Sequence, residues 1–214
     1  MEKSSAKISV QTLTRFSLLA ALEAVVCFVP FLGSIPIPGT PIVATLAHIP
    51  IIVTALLMGT LPGALMGGLA GTFSFIIWSF FPPPTSIAFA FVFTPLYPPG
   101  NFWSLVICFV PRILVGVVAG SVHQLMKNHS RRGILAYGLA GLLGSLTNTF
   151  LVLGGAYSFF GQEYASTLAV EFNLLLGALG LMVLFNGVPE AILGALVGQF
   201  VCRPLHKALE KQSR

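Results

Sequence analysis

Aspartate is absent from all 214 residues, and only 8% of the chain is charged. The first absence removes the Asp-rich metal centres used for prenyl or phosphatidyl transfer. No G-x-x-x-x-G-K-[ST] loop occurs, so the chain has no phosphate cradle of that kind for hydrolysing ATP. H-E-x-x-H is missing as well, and Gly71-Thr72-Phe73-Ser74-Phe75 lacks the glycine after serine expected of an intramembrane serine protease. Cysteine is scarce: Cys27, Cys108 and Cys202 are widely spaced in apolar sequence, odd in number, with no C-x-x-C and no neighbouring histidine pattern. They read as small buried hydrophobes rather than disulfides or metal ligands. These absences argue against an enzyme and against any resident metal or cofactor.

What is abundant is apolar sequence, 56% of the residues, which is more than a soluble domain of this length carries. It comes in runs. A helix needs about 20 apolar residues to cross the hydrocarbon core. Six runs meet this within the latitude of tilt, at about 12–32, 42–59, 61–81, 102–126, 133–157 and 173–201. The expected fold is a single all-α membrane domain over residues 1–214 with six transmembrane helices. Lys3, Lys7 and Arg15 before an apolar run imitate a secretory signal. The run from Phe16 to Leu32 is long, however, contains Glu23 and has no small-x-small cleavage site, so an uncleaved first span is expected.

Positive charge sets the orientation. Ten of the eleven Lys and Arg residues fall in three clusters: Lys3, Lys7 and Arg15; Lys127, Arg131 and Arg132; and Arg203, Lys207, Lys211 and Arg214. Short loops rich in Lys and Arg stay in the cytoplasm, which puts both termini and one central loop of this cell-membrane protein on the cytoplasmic side. That role accounts for the net charge of +5 without a nucleic-acid partner. The segments 33–41, 81–101 and 158–172 carry no Lys or Arg, as outer loops should. The first two are proline-rich and apolar, so they are expected either to fold over the outer mouth as lids or to be tight, membrane-hugging connections.

The eleventh basic residue, Arg112, lies within the spans, as do five other polar positions, Glu23, His48, Asn148, Asn186 and Glu190. An ionisable group at mid-membrane persists when it faces a cavity or a partner. Rise per residue places Arg112 about 15 Å and His48 about 9 Å below the outer ends of their spans. The set therefore predicts a pocket open to the outside. Asn186 and Glu190 share a helix face at spacing four, Thr45 and His48 at spacing three, and Asn148 and Gly155 at spacing seven. Pairing of Arg112 with Glu23 or Glu190 is the competing explanation, as is a bond from His48 to backbone left open by Pro50. Trp103 and Tyr157 are candidates to wall the pocket or to anchor at the interface.

Small residues recur every fourth position at Ala20 and Ala24, at Gly59, Gly63, Gly67 and Gly71, at Gly116 and Gly120, and at Gly194 and Gly198. Such grooves let helix backbones approach closely. Their excess on the first and third spans is expected to leave a face for a partner membrane protein.

The runs Ala44-Thr45-Leu46-Ala47-His48-Ile49-Pro50, Pro62-Gly63-Ala64, Val110-Pro111-Arg112-Ile113-Leu114, Leu146-Thr147-Asn148-Thr149, Leu153-Gly154-Gly155 and Asn186-Gly187-Val188-Pro189-Glu190 together resemble the substrate-binding S components of energy-coupling factor (ECF) vitamin transporters. The resemblance extends from about Thr12 to Leu205 and is strongest to the pantothenate type. It implies a six-helix membrane protein that captures a vitamin from outside and reorients against a transmembrane coupling subunit (T component), driven by two cytoplasmic ATPases. It also implies that Ala20 and Ala24 meet the coupling subunit. For pantothenate, Arg112 would take the carboxylate in a two-pronged contact. Asn148, Asn186 and His48 would meet hydroxyls and amide, Glu190 would accept from a hydroxyl or steady Arg112, Trp103 and Tyr157 would wall the pocket, and Thr45 and Gly155 would complete the substrate-binding set. Folate, riboflavin and a stand-alone secondary carrier are the alternatives.

Overall fold

The computed structural model describes residues 9–29, 34–36, 43–84, 86–127 and 135–212, with the backbone alone at 34–36, 43–45 and 210–212. Lys3, Lys7, Arg131, Arg132 and Arg214 lie outside the described residues, as does most of the 33–41 loop. Helix α1, Val10–Phe28, starts at Ser9, whose hydroxyl accepts from the Thr12 amide at 3.1 Å. That is the standard remedy for an orphan donor in a first turn. Strand β1, Ser34–Pro36, pairs antiparallel with β2, Val43–Thr45, with Ser34 opposite Thr45. Then come α2 (Ile49–Met58), α3 (Thr60–Phe80), a 3-10 helix at Ile87–Val92, α4 (Phe102–Lys127) and α5 (Ala136–Thr167). The chain closes on one helical rod: α6 (Phe172–Met182), a wide π turn at Val183–Gly187, α7 (Val188–Leu196), a second π turn at Val197–Cys202, and α8 (Arg203–Gln212).

Among the described residues five helical segments are long and apolar enough to cross a membrane: α1, α3, α4, α5 and the rod Phe172–Leu209. The expected second span, 42–59, is different. Its helix covers Ile49–Met58 only, about 15 Å of a hydrocarbon core about 30 Å thick, and extended chain precedes it. Two features of the sequence explain this. Pro50 occupies the first turn, where its missing amide costs nothing, and so fixes where the helix begins. Val43 and Thr45 are β-branched and suit an extended backbone. At the other end Gly59, at φ 105°, takes a left-handed conformation that separates α2 from α3.

The fifth helix also departs from expectation. It runs to Thr167, so most of the predicted 158–172 loop is helical. No proline interrupts it, and it absorbs the change of direction at Phe160 (φ −137°, ψ 24°).

Glycine decides how the helices approach. A β-carbon on Gly67 would land on the Arg112 carbonyl, one on Gly116 on the Gly63 backbone, and one on Gly141 on Gly194. The glycine row of α3 is therefore occupied by α4 and is not the spare partner surface expected from the sequence. The small-residue pair of α7 and its π turn, Gly194 and Gly198, is similarly filled by α5. Among the candidate spans of the described residues α1 is the least buried: Leu18, Leu22, Val25 and Phe28 are exposed, whereas Ala20 packs partly against the Ile51–Leu56 core.

Candidate functional site

Two cores occupy opposite ends of the bundle. One is aliphatic, built from Ile51, Ile52, Leu56, Met66, Val115 and neighbouring alanines near the Lys127 end of α4. The other is aromatic, built from Phe91, Phe160, Tyr164, Leu175 and Leu179 near its Phe102 end. A cavity of about 200 Å³ opens between them. Its wall includes Arg112 from α4, Asn148 from α5, Asn186 from the first π turn, Glu190 from α7 and His48 from the residue that caps α2.

Proline shapes three of these positions. Pro111 has no amide to give to the carbonyl four residues back, that of Ile107. Arg112 Nη1 donates to that same oxygen at 2.8 Å. The guanidinium also sits 5.0 Å from the centre of the Phe93 ring, which itself stacks on Trp78 at 4.8 Å. Among the described residues Arg112 thus spends one nitrogen on a backbone oxygen and one face on an aromatic ring, and it lines the cavity.

Pro189 follows Asn186 by three residues and cannot donate to the helix behind it. The wide turn Val183–Gly187 ends two residues before this proline and contains Asn186, and π turns often occur at ligand sites. Asn186 Oδ1 is buried there without a hydrogen-bond partner among the described residues. Glu190, one turn further on, is 6% exposed. Pro50, by contrast, leaves no open backbone for His48 to serve, because it stands at the start of α2. His48 instead meets Ser145 Oγ through Nε2 at 2.8 Å, tying α2 to α5.

The 81–101 segment roofs the cavity. Ser86, Phe89 and Phe93 reach into it. Ser79 and Thr94 hydroxyls meet at 2.7 Å, and Ser104 donates to the Phe91 carbonyl at 2.6 Å, so the roof is fastened to α3 and α4. Ser86 Oγ is buried and has no partner among the described residues. A buried polar atom without a partner is costly, so a cavity holding two of them is suited to a ligand that supplies the bonds.

Other expected site residues fall elsewhere. Trp103 stacks on Phe159 at 4.1 Å and 7°, outside the cavity and 44% exposed, where an interfacial ring belongs. Tyr157 stacks on Phe172 at 5.8 Å. Gly155 does not line the cavity either; it backs onto Ile107, whose side chain would lie 2.8 Å from an added β-carbon. Thr45 is placed by its backbone in β2, opposite Ser34. Glu23 is fully buried on α1, where Cys27 Sγ donates to its Oε1 at 3.2 Å, and Cys27 rather than Glu23 reaches the cavity.

Reading the sequence missed Ser74, Trp78, Ser86, Phe89, Phe93, Thr149, Tyr164 and Met182. Thr149 had a signal, standing next to Asn148 in the quoted motif. Ser74 was considered only as a protease serine. Tyr164 lay in a stretch expected to be loop.

Comparison with known proteins adds to this geometry. A family model described as "ECF transporter, substrate-specific component" matches residues 11–198. The chain is 35% identical over 196 residues to the pantothenic acid transporter PanT of Lactococcus lactis subsp. cremoris, covering 89% of this chain and 90% of that protein. It is 28% identical over 173 residues to the pantothenate transporter PanT of Leuconostoc mesenteroides, covering 79% of each.

Proposed function

The chain belongs to the family of substrate-specific components of ECF transporters, multi-pass proteins of the cell membrane, and we propose that its own substrate is pantothenate, captured from outside in the cavity below the 81–101 roof. One observation carries this reading: a cation, two amide side chains, a histidine and a carboxyl from four separate parts of the chain converge on one cavity in a protein similar to transporters of that vitamin. Pantothenate offers a carboxylate for Arg112 and hydroxyls and an amide for Asn148, Asn186, His48, Glu190 and Ser86. The aliphatic carbons of the ligand would rest on Val152, Leu153 and Met182.

In this reading the membrane is crossed six times, with β2 and α2 acting together as the second crossing. Non-helical backbone at membrane depth is tolerated where it is buried in protein or lines a cavity, and Ala47 and His48 line this one. The basic ends of α4 and α8 face the cytoplasm. Delivery follows by reorientation against a T component, powered by two ATPases that this chain does not provide. The peripheral helix α1, with Ala20 and Ala24 at the edge of its exposed face, is the docking element.

Calorimetry on the purified protein tests the substrate. Pantothenate binds, and Arg112→Ala abolishes high-affinity binding while the protein stays monodisperse; unchanged affinity in the variant sinks the assignment. The aromatic wall of Trp78, Phe89, Phe93 and Tyr164 is the feature that favours a ring-bearing vitamin, so riboflavin and folate serve as competitors. Uptake by cells expressing the chain alone, compared with cells that also express the coupling module, separates an S component from a stand-alone carrier. Full accumulation without the module overturns the S-component mechanism.

A further inference from the structure

We propose that Pro111 is a positioning residue for ligand recognition: by withholding an amide from the Ile107 carbonyl, it creates the acceptor that holds the Arg112 guanidinium ready for a carboxylate. The inference rests on reading Arg112 as the carboxylate anchor. In an uninterrupted helix the amide of residue 111 would donate to the Ile107 oxygen, four residues earlier. Proline cannot. The vacant oxygen is then taken by the neighbouring side chain, Arg112 Nη1 at 2.8 Å. The same guanidinium lies 5.0 Å from the Phe93 ring centre, and Phe93 is backed by Trp78.

Carbonyl and ring together restrain an otherwise flexible cation. A long side chain gives up rotamer freedom when it binds, and a fork already fixed in place gives up less. Because Nη1 is engaged, Nε and Nη2 are the pair left for the ligand, a geometry that matches the two oxygens of one carboxylate. Gly155 contributes from the far side, since its missing side chain lets Ile107 sit close against α5. Proline and arginine therefore act as a unit, and a residue with an amide at position 111 would compete for the Ile107 oxygen and loosen the fork.

The test uses Pro111→Ala in the full chain, purified in detergent with 15N-labelled arginine. Arg112 is assigned by the signal that disappears in Arg112→Lys. The wild type should give separate Nη resonances for Arg112, and Pro111→Ala should merge them. Affinity for pantothenate should fall about tenfold, the worth of one charge-assisted contact. Affinity for the analogue with its carboxylate reduced to an alcohol should hold, so preference for the acid is lost. Pro111→Ala combined with Arg112→Ala should bind no more weakly than Arg112→Ala alone. Pro111 is buried, so Pro111→Val, which restores the same amide with more packing, replaces the alanine variant where that one does not fold. Unmerged resonances in the variant overturn the proposal, and so does retained acid preference. If the wild type binds neither compound yet the resonances merge, the substrate assignment fails while the restraint on Arg112 stands.

Discussion

The two ends of this bundle are packed on opposite principles. Toward the Lys127 end of α4, glycines bring α3 against α4 and α5 against α7 in backbone contact around an aliphatic core, with Gly63 against Gly116 and Gly141 against Gly194. Toward the Phe102 end, large rings hold the helices apart, Phe91 against Phe160 at 5.5 Å and Phe89 against Tyr164 at 5.2 Å. Close packing in a membrane comes from small residues, because lipid gives helices no hydrophobic reason to associate. Bulky residues leave space, and polar groups gather where the space is. The cavity therefore lies at the boundary between the two regimes, with Arg112 on the same helix as Gly116.

Breaking the tight end should have the largest effect. Gly67→Leu puts a branched side chain onto the Arg112 carbonyl, where the obstacle is backbone and has little room to yield. Overpacking of this kind costs about 3 kcal/mol, at the upper end for such insertions. The expected outcome is a large fall in melting temperature and loss of the monodisperse peak in detergent. A normally folded Gly67→Leu protein would show that α3 and α4 are not in the close register described.

The difference between the ends also explains what could be read from sequence. Long apolar runs and the scarcity of charge announced α1, α3, α4, α5 and the final rod, because hydrophobic length is a local property. The half-length of α2 was hidden: Val43, Ala44 and Thr45 join without a charge onto the apolar helix that follows, and hydropathy does not register an extended backbone. Five cavity residues, Arg112, His48, Asn148, Asn186 and Glu190, stood out because polar groups are rare in such a chain. The aromatic residues did not, since eighteen phenylalanines leave no contrast by which to choose Phe89 and Phe93. Nor did the α3 glycines reveal their partner: a small-residue row looks the same whether α4 or another protein fills it.

At the loose end, Asn186→Leu should separate stability from binding. Its Oδ1 is buried and has no partner among the described residues, so an apolar replacement relieves a desolvation cost of about 1 kcal/mol. Ligand affinity should move the other way, falling ten- to a hundred-fold for one lost buried bond, on the order of 1.5 to 3 kcal/mol. Thermal melts with and without ligand read both numbers. A variant that is destabilised and binds normally would make Asn186 a structural bridge between helices, and the loose end would then be packed like the tight one. Ser86→Ala should follow the same pattern with a smaller loss, because it removes only a hydroxyl from the roof.

The smallest effect is expected from adjacent glycines that meet opposite surroundings. A β-carbon on Gly155 would press on Ile107 at 2.8 Å, whereas one on Gly154 meets nothing within 4 Å. Both lie within α5, where alanine is favoured over glycine by about 0.5 to 1 kcal/mol on backbone entropy alone. Gly154→Ala should therefore raise the melting temperature slightly and leave binding unchanged. Gly155→Ala should lose that gain to the clash and, by shifting Ile107, disturb the carbonyl that holds Arg112, so that affinity falls while the fold survives. Equal behaviour of the two variants would mean that α5 slides freely past α4 at this level, and the boundary between the tight and loose ends would have to be drawn nearer to Lys127.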